Sequence, residues 1–355
     1  MKNLFFGLII VSGCLNVSAE KQTKPEASLP PLPDPTPPMI LDRLGDYRRE
    51  VVTESEEARR WYDQGMALML GYNFDGAISS FREATRIDPG FAMAWWGIGY
   101  SGGPNQNNPG INQPKDQWSY AATQQAFKHR EKENGANRAL IEALVHRYQW
   151  PVPDDLTERN EAYLSQMNKV MKKFPMDPDV AVWTAEAMIC MQPWNYWTLE
   201  GEPVKKTPQF RAILEGVMRQ HPNHPAANHL YIHTMESSPW PELAEPAADR
   251  LVNLIPAAGH LVHMPSHIWM QTGRYDDAAN CNRRAAALDR RADVAARLPV
   301  PRVRRLHAHR QQEGGAHAEG RAAHPVLPVE VVRRDHPRPE RRDRDREQHL
   351  QREVA

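Results

Sequence analysis

A chain of 355 residues is long enough to bury a core in one or two domains, and its 44 basic and 44 acidic side chains cancel. The cancellation is uneven: residues 291–355 hold 15 Arg against 10 acids, which leaves 29 bases against 34 acids in residues 1–290. A mildly acidic body with its basic excess confined to one end excludes a general nucleic-acid binder.

Residues 1–19 carry the pattern of an export signal. Lys2 is followed by an apolar run from Leu4 to Val11, too short to anchor in a bilayer, and Val17-Ser18-Ala19 fits a small-residue cleavage site. Val11-Ser12-Gly13-Cys14 also resembles the lipobox of bacterial lipoproteins, in which the cysteine is acylated and becomes a membrane tether. Both readings place the protein outside the cytoplasm, as a periplasmic, outer-membrane or secreted species. Residues 20–38 (PEASLPPLPDPTPP within them) read as an extended proline-rich linker.

Helical signals dominate from Met39 to about residue 290. The clearest lies in residues 58–91. Trp61, Gly65, Leu68, Ala77, Phe81, Ala84 and Pro89 repeat at the spacing of a helix hairpin, with Gly65 and Ala77 permitting close approach and Pro89 stopping the second helix. Trp95 and Gly99 each follow their counterparts by 34 residues. The second unit then departs, because 101–114 (SGGPNQNNPGINQP) is a polar loop rich in Gly and Pro. Further helices are predicted over 118–147 with a break, 156–174, 181–191 and 210–220. Between the last two lies a loop with Trp194, Tyr196 and Trp197. Only Cys190 and Cys281 fall in this region; one disulfide and two buried thiols are both open.

The stretch 228–269 carries the chemistry. It reads NHLYIHTMESS, then the helix predicted over 242–254, then GHLVHMPSHIW. On a helix His229, His233 and Glu236 share one face, and so do His260, His263 and His267. The triplets lie 31 residues apart, near the period of a helix-pair repeat, so equivalent helices of neighbouring units would set them side by side. Imidazole with carboxylate is a ligand set for a transition metal such as zinc or copper. Helix caps and hydrogen bonds across the fold are the competing use of the same residues. Pro265 interrupts the second stretch. Either that helix kinks, or it begins at Pro265 and leaves His260 and His263 on the incoming loop.

After about Asp289 the composition changes. Residues 291–355 lack Phe, Tyr, Trp, Lys, Ile, Ser, Thr and Asn. This is the signature of a disordered basic tail or of an out-of-frame reading of a GC-rich gene. No site is assigned there despite six histidines.

The 58–91 register resembles the tetratricopeptide-repeat family, strongly in two units and loosely across 58–290. The export signal, AWWGIGY and GHLVHMPSHI are together similar to a group of exported bacterial repeat proteins. The resemblance implies an all-α fold, a TPR-like α-solenoid of helix hairpins over 39–290, whose first helices line a concave groove that takes a peptide or protein partner. Trp95, Trp96, Asn105 and Asn107 are then groove candidates. The resulting expectation is a partner-binding protein that also carries a metal in the His/Glu cluster. The alternative is a metal-dependent hydrolase or oxidoreductase on the same scaffold.

Overall fold

The computed structural model describes residues 39–110 and 113–297. The export signal, the proline-rich linker and the tail beyond 297 lie outside the described residues. The described chain is all-α. Its helices are α1 (Glu56–Leu70), α2 (Phe74–Ile87), α3 (Ala92–Ser101), α4 (Gln113–His129), α5 (Gly135–Leu144), α6 (Thr157–Lys173) and α7 (Pro178–Cys190), followed by α8 (Thr207–Gln220), α9 (Pro225–Met235), α10 (Glu245–Leu254), α11 (Gly259–His263), α12 (Pro265–Gln271) and α13 (Tyr275–Arg297). Among the described residues no helix is long and apolar enough to cross a membrane. Most helices pack on their neighbours in chain order, and one continuous apolar core runs from Ala58 to Ala285. The last helix passes the compositional boundary near 290 and continues to Arg297.

Local chemistry sets the helix starts. Ser55 Oγ accepts from Ala58 N at 3.1 Å, Asn73 Oδ1 from Gly76 N at 3.1 Å, and Asp177 Oδ1 from both Asp179 N and Val180 N at 3.0 Å. Each satisfies a backbone donor that the first turn leaves open. Pro178 and Pro225 each stand at a helix start, where the missing N–H costs nothing.

Phe81 explains the glycines of the hairpin pattern. Its ring lies between α1 and α3, so close that a Cβ on Gly65 or on Gly97 would sit 2.6 Å from it. The ring is fully buried and tilts against Tyr62 at 5.7 Å. Trp96, a groove candidate by sequence, is instead core: it is fully buried, stacked on Tyr100 at 4.9 Å and packed on Trp183 at 4.7 Å. Trp95 is half-buried and donates from Nε1 to Pro89 O at 3.0 Å. Cys190 and Cys281 are buried free thiols.

Residues 39–55, within the stretch expected to be helical, form no helix. Gly45 takes a left-handed φ of +72°, with no room for a Cβ against Leu254 O. The segment runs across other elements as a strap. Tyr47 Oη donates to Asp179 Oδ1 at 2.8 Å, and Arg49 binds Asp179 Oδ2 at 2.6 Å and Asp177 Oδ2 at 3.1 Å. His224 joins them: its Nδ1 accepts from Ala227 N at 3.2 Å, so its Nε2 carries the proton and donates to Asp179 Oδ1 at 3.0 Å. Burial pushes the Asp179 carboxyl up, but His224, Arg49 and Tyr47 together outweigh it and hold it at about 2. Farther along, Arg43 O accepts from Ala257 N at 3.2 Å.

Two outcomes are expected in urea denaturation. Gly97→Ala forces a methyl into the Phe81 ring and destabilises the fold by about 1–3 kcal/mol. Asp179→Ala takes from buried Arg49 the closer of its two carboxylates and leaves Tyr47 and His224 without their acceptor, and costs more, about 3–5 kcal/mol.

Candidate metal centre

Two elements present the histidines. Helix α9 begins where His224 and Pro225 fix it, and it carries His229 and His233 one turn apart on its inner face. The second element is a helix bent at Met264–Pro265. Met264 keeps helical backbone angles (φ −50°, ψ −38°), so the stretch is kinked rather than looped, and His260 and His263 lie on α11. Pro265 removes one backbone donor and sets the bend.

The structure brings all six sequence candidates into one chain of contacts. His229 Nε2 and His260 Nε2 lie 3.0 Å apart. His233 Nδ1 lies 2.9 Å from Glu236 Oε1, and His267 Nδ1 meets the other oxygen, Oε2. His267 Nε2 is 2.9 Å from His263 Nε2, and His263 Nδ1 is 2.6 Å from Asn282 Oδ1. Two groups of three are compact enough to hold an ion. They are His229, His233 and His260, and then His233, Glu236 and His267; in each, the ligand atoms all lie within 4.8 Å of one another.

Hydrogen-bond accounting fixes several protons. A carboxylate only accepts, so His233 and His267 each donate Nδ1–H to Glu236 and leave Nε2 bare. His233 Nε2 is then buried with no hydrogen-bond partner among the described residues, and so is His229 Nδ1. Each such orphan costs about 1–3 kcal/mol. Burial, which pushes Glu236 up, is outweighed by the hydrogen bonds from His233 and His267, and the carboxyl sits at about 2. Burial drives His229 well below the ordinary imidazole value, with His233 and His260 adding to it. Burial also lowers His233, against the pull of Glu236, and takes His260 to about 3. These are neutral imidazoles at neutral pH, the protonation state a metal ligand needs.

Residues that sequence reasoning missed close the site. Tyr72 stacks on His260 (5.4 Å, 5° between planes) and meets His229 edge-on at 4.5 Å. Its Oη donates to Glu186 Oε1 at 3.0 Å, and Tyr100 Oη donates to the other Glu186 oxygen. Gly71 beside it lets this turn press against Ala258, whose Cβ would be 2.7 Å from a Cβ at 71. The available signals are a glycine at a helix C-cap, and a lone Glu in the apolar run VWTAEAMIC. The aromatic loop singled out in the sequence lies on the other side: Trp194 approaches His233 edge-on at 5.3 Å, and Trp197 Nε1 donates to Thr234 O at 2.7 Å. Tyr72 and Trp194 both adopt positive φ, 56° and 63°, a strained conformation for side chains of this size.

A cavity of about 240 Å³ adjoins the centre. Its lining includes His260, Tyr72 and Phe74 together with Asn105, Asn107 and Asn108. Asn105 shapes its turn by accepting from the backbone N–H of Asn107 and Asn108, both at 3.0 Å. Of the four groove candidates, Asn105 and Asn107 thus face open space beside the histidines.

Compared with protein-family models and with curated proteins, the chain matches none.

The depressed imidazoles make a pH prediction for the metal-free protein. Unfolded, these histidines take up protons near 6.5; folded, His260 does so only near 3. Between those values the unfolded state binds more protons, so stability falls as pH drops from about 6.5 towards 3. Glu236 and Asp179 act with the same sign over a lower window, from about 4 down to 2. The melting temperature should therefore decline steadily from pH 7 to pH 4. His260→Gln should flatten the upper half of that slope.

Proposed function

We propose that this chain is an exported helical-repeat protein of tetratricopeptide type that holds a transition-metal ion, zinc or copper, through His229, His233 and His260. The convergence of three neutral imidazoles within 4.8 Å, two of them buried and His260 half-buried, carries the reading. Metal–nitrogen bonds of about 2 Å put neighbouring ligands on one ion about 3 Å apart, the separation of His229 and His260 Nε2. Glu236 then orients His233 through Nδ1, as carboxylates commonly do behind a metal-bound histidine, and leaves Nε2 for the ion. The seven-residue register at 58–91 and the neighbour-on-neighbour packing support a TPR-like α-solenoid. The acylated Cys14 or the cleavage site after Ala19 supplies the export route.

The cavity against His260 favours a second reading, a metal-dependent hydrolase or oxidoreductase. A pocket with amide walls and a metal ligand on its border is where a small polar substrate would meet the ion. A peptide or protein partner is the role implied by the repeat resemblance.

Metal analysis of the purified, full-length protein tests the proposal. At least one zinc or copper ion per chain is expected at the three-histidine position. His233→Ala should lower its occupancy at least tenfold while the helical circular-dichroism signal stays. No metal by elemental analysis, together with no thermal shift on adding zinc or copper, would return the histidines to packing.

A further inference from the structure

The proposed ion uses three of the five histidines. His263 and His267 remain, on either side of the bend between α11 and α12, half-buried and open to one side. Their ring protons are assigned by their neighbours. His267 gives Nδ1–H to Glu236 Oε2. His263 gives Nδ1–H to Asn282 Oδ1 at 2.6 Å, with Ser266 Oγ at 3.4 Å too long to compete. Both Nε2 atoms are then bare, and they face one another at 2.9 Å. Two lone pairs at that distance repel unless a positive centre lies between or beside them. The spacing is that of two nitrogens bound to one ion.

We propose that His263 Nε2 and His267 Nε2 form a second transition-metal position, separate from the three-histidine one and completed by water. The inference rests on the reading of His229, His233 and His260 as the first position, but it uses none of their nitrogens. Glu236 couples the two without being a ligand, because one oxygen orients His233 and the other orients His267. Asn282, from α13, does the same for His263. Two protein ligands hold an ion more weakly than three, so the second position fills after the first.

Calorimetric titration of the full-length, chelator-stripped chain with zinc, followed by metal analysis, tests this. The wild type should show two steps and bind two ions. His263→Gln and His267→Gln should each abolish the weaker step and leave the tighter one within about threefold. His233→Ala should remove the tighter step and keep the weaker one. One ion in the wild type, lost in His233→Ala and untouched in His267→Gln, would overturn the second position and leave the first intact. One ion lost equally in both variants would mean a single shared site, and would overturn it as well. No zinc at all would overturn both readings together. Circular dichroism of each variant confirms that folding is retained; the exposed side of both rings makes Gln a mild replacement.

Discussion

The Asp179 carboxylate is the point on which the geometry depends. It is buried and accepts from a tyrosine, an arginine and a histidine that come from the strap and from the residue before α9. An isolated buried carboxylate would be prohibitively costly, so the arrangement exists only with all donors in place. Because His224 also caps α9, the same carboxylate fixes where that helix begins. His229 and His233 follow one and two turns later, and their positions relative to α11 and α12 are inherited from it.

Glu236 has the corresponding role within the histidine cluster. It stands at the end of α9, where its two oxygens reach imidazoles on two different helices. Its charge does not neutralise a cation in the metal-free chain. It selects the tautomers of His233 and His267 and leaves Nε2 of each bare. Tyr72 and Trp194 add a low-polarity rim, and burial keeps the imidazoles neutral well below the usual range.

Much of this is legible in the residues. The spacing of Trp61, Gly65, Phe81 and Ala84 marks the first hairpin, and the period between His229 and His260 anticipates their meeting. Helical periodicity is a local property and survives without an alignment. What the residues do not disclose is long-range. Tyr72 and Glu186 are remote from the histidine stretch in sequence and carry no periodic signature. The strap over 39–55 reads as helical, because its apolar residues resemble a helix face and its ion pairs lie more than a hundred residues away. Trp96 has the spacing of a groove residue, but the aromatic company of Tyr100 and Trp183 makes it core. Tautomers are invisible in sequence, since they depend on which acceptor each ring nitrogen meets.

Open helical arrays fold by local steps, since each unit touches only its neighbours. This chain packs mostly neighbour on neighbour but adds two long-range links: Arg43 bonds to Ala257 and Tyr72 stacks on His260, 214 and 188 residues apart. Such contacts raise the mean sequence distance of the native pairings and slow the search. Helices α1 to α8 can assemble progressively, but Tyr72 takes its place against His260 only when the turn after α1 meets α11. Loss of that contact would uncover one side of the histidine centre, so the centre reports on a pairing between distant units rather than on a single hairpin.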